Sequence, residues 1–442
     1  MLSLANEEKR INTHWLPVEI GLVNVLWKMA TQQETSSQST ENLIEALHVD
    51  RKRRSLITNH IYLDDEKLPE DERTAVLREI FNRNIREKQL SRIISHLTPV
   101  LDGDHPPSAL VYGPTGSGKT VTLMHVLSSF QQVAGKHGVA FRYAYIDLSS
   151  PKTYFGALNE LAIALDGSNR RYRKGIPIEY MQARIVEALD GVEGFMCLLI
   201  DEADNIKPNV DSFLTFLGKT LPRKVSCRLI LVLLTNRLDW EKALDPRILS
   251  FFKKTDIIFE PYDAMDLLEI LRIRVEKALN KDKVEEAAIK KVAACASRET
   301  GDARKAVELL AKAVIVAEES TGRLTEAEVD LAEERLEMDK TEALIRALAT
   351  QQRLALEACY LSVGQNNRRS ATGQVYEVYR RVSMQEGVSP LTQRRFSDMI
   401  SFLDLYGLVT ARAVSKGRYG YTREITGCLP RELVKRALSH AR

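Results

Sequence analysis

Eight consecutive residues, Gly113, Pro114, Thr115, Gly116, Ser117, Gly118, Lys119 and Thr120, have the types and spacing that hold a polyphosphate. They fit G-x-x-x-x-G-K-[ST], with an apolar run before them and a predicted helix through Val121 to Phe130 after them. The glycines let successive backbone N–H groups turn inward, and the helix start directs its dipole at the anion. Lys119 would reach the β- and γ-phosphates, and the Thr120 hydroxyl would ligate magnesium. Cys197-Leu-Leu-Ile-Asp-Glu202 supplies the partner group. Its apolar residues predict a buried strand that delivers Asp201 to the metal and Glu202 to a water attacking the γ-phosphate. Asn236 ends the next apolar run, Arg228–Leu234, and would lie between the two motifs, orienting that water. Arg247, in Asp245-Pro-Arg-Ile248, reads either as a finger into a neighbouring subunit's nucleotide or as half of a surface ion pair. Arg304, in Gly301-Asp-Ala-Arg304, opens a helix and would project back onto the phosphates.

These groups need strands that end side by side. Leu110–Tyr112, Ala140–Leu148, Phe195–Ile200, Arg228–Leu234 and Ile257–Phe259 read as strands, alternating with helices such as Tyr154–Leu165 and Ile178–Leu189. That order predicts an α/β fold whose parallel sheet is covered on both faces. A helical pattern also runs from Arg73 to His96. After Pro261 the chain turns helical, with segments near Asp263–Leu279, Val284–Arg298, Asp302–Glu319 and Glu326–Glu337, which predicts a helical lid. From Lys340, helices near Thr341–Tyr360, Thr372–Glu386 and Thr392–Leu405 lead into alternating Leu408–Val414, a turn at Ser415–Gly420, and Tyr421–Ile425. This is the plan of a winged helix. The expected division is 1–50 as an extension and flexible linker, 51–261 as the nucleotide-binding base, 262–338 as the lid and 339–442 as the winged-helix domain.

The 442 residues carry a net charge of only +3, unevenly placed. From Lys340 onward there are 17 Lys and Arg against 8 Asp and Glu, so the C-terminal module is basic on a mildly acidic body. That asymmetry points to nucleic acid at the C-terminal end. Thr392 would cap the recognition helix, with Phe396, Met399, Ile400, Leu403 and Leu405 as its buried face. Gln393, Arg394 and Arg395 would meet bases and phosphates at its start. The wing, with Lys416, Gly417, Arg418 and Tyr419 at its tip and Arg423 beyond, suits phosphates and a minor groove. The five cysteines form no metal spacing and predict buried thiols in a reducing compartment. The apolar stretch Val18–Ala30 is too short to span a membrane, so no membrane association is expected and a cytoplasmic, nucleoid-associated location is.

The order Gly113–Thr120, Asp201-Glu202, Asn236, Arg247, Arg304 resembles an AAA+ ATPase. More narrowly, the chain resembles the archaeal replication initiators related to the origin recognition complex and to the cell division control helicase loader. The resemblance rests on Leu199-Ile-Asp-Glu-Ala-Asp204, Leu244-Asp-Pro-Arg-Ile-Leu-Ser250, Gly301-Asp-Ala-Arg-Lys-Ala306, Thr372-Gly-Gln-Val-Tyr-Glu-Val-Tyr379, Pro390-Leu-Thr-Gln-Arg-Arg395 and Ser415-Lys-Gly-Arg-Tyr-Gly420. It covers about His60 to Thr426. It implies ATP and ADP with Mg2+ as ligands, slow regulatory hydrolysis, double-stranded origin DNA, recruitment of the MCM helicase and possible contact with other initiator subunits. It also implies a DNA-touching insertion within Ser149–Gly175, where Arg170-Arg-Tyr-Arg-Lys174 lies. Such proteins often carry a second arginine after the one matched by Arg247, where this chain has Phe251 and Phe252. The same ATPase and winged helix would also serve a regulator from a plasmid or mobile element, and the unmatched first fifty residues keep that alternative open.

Overall fold

Strands β1 (Ser108–Tyr112), β2 (Phe141–Asp147), β3 (Phe195–Asp201), β4 (Arg228–Thr235) and β5 (Lys254–Ile258) form one parallel sheet in the order β2-β3-β4-β1-β5. The structure is a computed structural model and describes residues 55–439 apart from 65–66, 151–152, 168–171, 174, 207–209, 252–253, 365–367 and 416–420. β3 and β4 are near-continuous apolar runs because both faces of the sheet are covered. Alternation sorts their side chains: Leu110, Ile146, Leu198, Ile200 and Leu231 pack on one side, Val111, Cys197, Leu199 and Val232 on the other. Helices α1 (Glu70–Asn82), α2 (Glu87–Leu97), α3 (Lys119–Lys136), α4 (Tyr154–Asp166), α5 (Ile178–Leu189), α6 (Val210–Thr215) and α7 (Pro246–Phe251) complete this part of the chain. α4 and α5 cover the first face, α2 and α3 the second. The carboxyl ends of β1, β4 and β3 therefore lie in a row, the place where a parallel sheet presents its functional groups.

The lid consists of α8 (Ala264–Ala278), α9 (Glu286–Glu299), α10 (Ala303–Glu319) and the first half of α11 (Glu326–Ala347). Asp263 caps α8 by accepting from the N–H groups of Met265 and Asp266, and Asp302 caps α10. The chain that precedes the sheet joins this unit. Leu56, Tyr62, Leu63, Val76 and Ile80 are buried in the lid's core, and Ile57 pairs with Leu279. Glu318 accepts from the backbone N–H groups of Leu56 and Ile57.

The helix expected over Arg73–His96 is broken into α1 and α2 by left-handed backbone at Asn84 (φ 60°) and Arg86 (φ 66°). The reason is tertiary. Arg86 is 7% exposed; its Nη2 donates to Glu260 O at 2.6 Å, and its guanidinium lies 3.8 Å from the centre of the Tyr262 ring. The chain leaves helical geometry so that this cation can clamp the segment joining the sheet to the lid.

The helix expected to end at Glu337 instead runs on to Ala347, 22 residues from its Thr325–Glu328 capping box. No glycine or proline interrupts it. Its start packs in the lid through Val329 and Ala332, and its end packs in the winged helix through Ile345. That last domain contains α12 (Thr350–Val363), β6 (Ser370–Ala371), α13 (Thr372–Gln385), α14 (Gln393–Leu405), β7 (Val409–Ser415), β8 (Tyr421–Gly427) and α15 (Arg431–Ser439), with its sheet ordered β6-β8-β7. Glu342 on α11 is 7% exposed and accepts from Arg436 of α15 at 2.9 Å and from Arg346.

Arg436 first, then Arg346, holds the Glu342 carboxyl below its ordinary value of 4.5. A depressed carboxylate pKa contributes stability that is present above the ordinary value and is lost as pH falls through the folded value. Glu342→Gln is expected to lower the melting temperature at pH 7 by about 2–4 °C. The gap from wild type should close as pH drops below 4.5, as read by calorimetry; a gap that persists at pH 3 would show that the ion pairs are not its source.

Candidate nucleotide site and DNA-facing domain

The turn after β1 can fold only with glycine at fixed places. A Cβ on Gly113 would fall 2.4 Å from Phe259 O, just beyond β5. Gly116 (φ 71°) and Gly118 (φ 84°) are left-handed, and the Tyr262 hydroxyl sits 2.2 Å from where a Gly118 Cβ would be. Ser117 is buried and its hydroxyl donates to Pro114 O at 2.8 Å. Thr115 is exposed, and Val121 is exposed on the first turn of α3.

Lys119 is the centre of the site. It is 6% exposed, and its ammonium donates to Gly113 O (2.7 Å), Pro114 O (2.9 Å) and Asn236 Oδ1 (2.8 Å). Burial pushes its pKa down to about 8, with Asp201 opposing the shift, Arg304 adding to it, and Glu202 and Asp204 opposing it. Those charges reach the same ammonium, so the phosphate loop, the end of β3, the end of β4 and the start of α10 converge there. Thr120 Oγ1 donates to Asp201 Oδ2 at 2.5 Å, and the Tyr145 hydroxyl reaches the same oxygen at 3.3 Å. Burial and the Asp201 charge raise the Tyr145 phenol, so it remains a donor. Glu202 has left-handed backbone (φ 53°, ψ 42°), and its carboxylate accepts from Asn205 Nδ2 at 2.5 Å. Thr235 Oγ1 donates to Asp204 Oδ1 at 2.8 Å, tying the turn after β3 to the strand end that presents Asn236.

The lid closes directly on this loop. The backbone N–H of Ala303 donates to Gly116 O at 3.3 Å, and a Cβ on Gly116 would lie 1.7 Å from Asp302 Oδ1. Asp302, 7% exposed, accepts from Arg304 N at 2.8 Å, so the residue seated on the loop also fixes the helix start that carries Arg304.

Arg247 is placed differently. Its N–H and its guanidinium bind Asp245, Nη2 to Oδ2 at 2.8 Å, and its side chain is 90% exposed. The ion pair joins two residues only two apart in sequence.

In the winged helix, Thr392 caps α14 by accepting from Arg395 N, and Gln393, Arg394 and Arg395 are exposed. Phe396, Met399, Ile400 and Leu403 are buried as expected, whereas Leu405 is 82% exposed. Two residues beyond Leu403 means about 200° further round the helix, off the buried face. Arg423, expected on phosphate, reaches back to α14: its Nη1 donates to Ser401 Oγ at 2.6 Å and its Nη2 to Ser397 Oγ at 3.1 Å. It joins β8 to α14. Lys416, Gly417, Arg418 and Tyr419 lie outside the described residues, as do Arg170, Arg171 and Lys174 of the insertion. Tyr172 there is anchored, its N–H donating to Asn159 Oδ1 at 3.0 Å.

Sequence reasoning passed over Tyr145, Asn205, Thr235, Asp302 and Arg86. Only Asp302 and Asn205 carried a local signal, one as the helix cap before Arg304 and one three residues after Glu202.

Three family models match in the order of the three folded parts. They are an AAA domain over residues 101–239, a Cdc6 AAA+ ATPase-type lid domain over 268–334, and the C-terminal winged-helix domain of CDC6 over 343–437. An ORC1-type DNA replication protein of Pyrococcus abyssi is 35% identical over 349 residues, covering 77% of this chain and 82% of that protein. An ORC1-type DNA replication protein 1 of Sulfurisphaera tokodaii is 33% identical over 356 residues, covering 80% and 88%. The Orc1 protein of Aeropyrum pernix, solved in complex with DNA, is 30% identical with a TM-score of 0.65, covering 87% of this chain and 97% of that one. With a nucleotide loop, lid and winged helix in this order, and relatives that match over most of their length, the chain belongs to the archaeal ORC1/Cdc6-type family of AAA+ DNA replication initiators.

Proposed function

We propose that this protein is an ATP-dependent initiator that binds double-stranded origin DNA and helps recruit or load the MCM helicase, with other initiator subunits as further partners. The observation that carries the reading is continuity: Asp302 and Ala303 sit on the phosphate loop, and the lid they belong to runs through α11 into the winged-helix core. Nucleotide at the loop and DNA at α14 then act on one connected body. The structure of the Aeropyrum pernix Orc1 protein in complex with DNA supports DNA as a ligand of this chain.

Lys119 and the inward N–H groups bind the triphosphate, and Arg304 closes on it from the lid. Thr120 Oγ1 and Asp201 Oδ2, two hard oxygens in contact, would hold Mg2+, which would supply positive charge against the β- and γ-phosphates. Asn236 orients the water and Glu202 takes its proton. The water oxygen bonds to the γ-phosphorus, the bond to the β–γ bridging oxygen breaks, and ADP leaves. Hydrolysis is slow and resets the switch, in the cytoplasm at the nucleoid. Among the described residues no helix is long and apolar enough to cross a membrane.

Footprinting on the host genome with and without ATP tests this. ATP-dependent protection beside a replication start is the expected result; protection confined to transposon ends or promoters would make the protein a mobile-element regulator instead. Arg394→Ala with Arg395→Ala is expected to weaken DNA binding and to reduce the slope of log K against log salt by about one for each phosphate no longer neutralised. An unchanged slope would remove these arginines from the interface.

A further inference from the structure

The start of α14 is held by two tyrosines. Leu391, the residue before the cap Thr392, donates its N–H to the Tyr379 hydroxyl at 3.1 Å, and its carbonyl accepts from the Tyr376 hydroxyl at 2.9 Å. Both tyrosines belong to α13 and stand three residues apart, on one face of that helix. Their ring centres lie 5.4 Å (Tyr376) and 4.8 Å (Tyr379) from that of Phe396, in the first turn of α14. The Tyr379 hydroxyl donates in turn to Gln351 Oε1, and Gln351 Nε2 donates to Ser389 O at 3.0 Å. Gln351 lies in the first turn of α12, just past the end of α11. One hydrogen-bonded set therefore joins the end of the helix that enters from the lid, one face of α13 and the loop that opens α14.

The Tyr376 bond to Leu391 is exposed, so water would satisfy both of its ends if it were lost. Packing on Phe396 needs only the ring. What this hydroxyl adds is position. With its N–H held by one tyrosine and its carbonyl by the other, Leu391 can neither slide along α13 nor rotate without breaking a bond. Gln393, Arg394 and Arg395, all exposed, follow directly after the cap.

We propose that Tyr376 and Tyr379 are positioning residues for DNA recognition: they preset the first turn of α14 so that Gln393, Arg394 and Arg395 meet base edges at one fixed height in the groove. Base contacts depend on that geometry, whereas attraction to phosphate does not. The hydroxyls therefore set the preference for one sequence over another, not the strength of binding to any duplex. This inference rests on α14 being the element that reads DNA.

The test uses the full chain with Tyr376→Phe, Tyr379→Phe, Arg394→Ala/Arg395→Ala and the triple variant Tyr376→Phe/Arg394→Ala/Arg395→Ala. Affinity is measured by fluorescence anisotropy for two duplexes of equal length, one carrying the host sequence that wild type protects in the footprint and one with that sequence shuffled. Each phenylalanine variant is expected to lose about fivefold on the protected sequence, the scale of one neutral hydrogen bond, and nothing on the shuffled one. The salt slope should stay as in wild type, because no phosphate contact is removed. The Tyr376→Phe loss should vanish when both arginines are alanine, a dependence that a merely structural role would not produce. Tyr379→Phe also releases Gln351; if it unfolds, Tyr376→Phe, which gives up the exposed bond to Leu391 O, carries the test. Wild-type affinity of Tyr376→Phe for the protected sequence, or an equal loss on both duplexes, overturns the positioning role, and so does a wild type that does not distinguish the two. If the double arginine variant still weakens binding in those cases, α14 remains on the DNA. A double arginine variant that binds both duplexes like wild type takes α14 off the DNA, and this inference with it.

Discussion

Glu202→Gln should leave a protein that binds ATP about as tightly as wild type and hydrolyses it about 10²- to 10⁴-fold more slowly. Binding is preserved because the groups proposed to hold the phosphates and the metal are elsewhere, in Gly113–Thr120 and at Asp201. Glutamine keeps the size of the side chain and can still accept from Asn205, so the turn after β3 has no reason to refold. What disappears is a carboxylate able to take the proton of water. Equilibrium binding of ATP beside single-turnover release of phosphate separates the two properties. A variant that hydrolyses at the wild-type rate would mean that another group, with Asn236 the nearest choice, orients a water needing no base at this position.

Gly116→Ala should cost about 10- to 100-fold in ATP affinity, and the cost should come from the lid. Two effects add. Left-handed backbone at φ 71° disfavours any side chain by about 1 kcal/mol. The new Cβ would also lie 1.7 Å from Asp302 Oδ1 and 2.1 Å from its Cγ, so one of them must move. Asp302 is buried and caps the helix that carries Arg304, so its displacement moves the arginine as well. Adding Asp302→Ala removes the clash but not the backbone strain. That double variant should regain part of the affinity, read by calorimetry, while the stabilisation of the fold by saturating ATP partly returns in thermal melts. Failure of Asp302→Ala to restore anything would place the whole cost in the loop itself.

Much of the nucleotide site was legible because its parts are local. The phosphate loop is eight contiguous residues, and Asp201 and Asn236 each follow an apolar run whose only stable place is a buried strand. The parallel sheet, the lid and the winged helix followed from the change of period along the chain. What escaped depends on contacts between residues far apart in sequence. Arg86 reaches Glu260 and Tyr262, and this breaks a helix whose own residues favour continuity. Leu56 and Tyr62 enter the lid's core from before the sheet, and no local pattern marks that destination. The hydrogen bonds of Arg423 to Ser397 and Ser401 exist because its strand lies against α14. Arg247 shows the reverse, a contact that is wholly local, its ion pair being with Asp245 two residues away.

The 22 residues of α11 span about 33 Å. Anchored in the lid at Val329 and Ala332 and in the winged helix at Ile345 and Glu342, this span is a lever with no joint along it. A tilt of about 10° at the lid end carries the far end through about 6 Å, nearly two base-pair steps along a duplex. A tilt of the lid would reach the winged-helix core along one uninterrupted helix, without an intervening loop to absorb it.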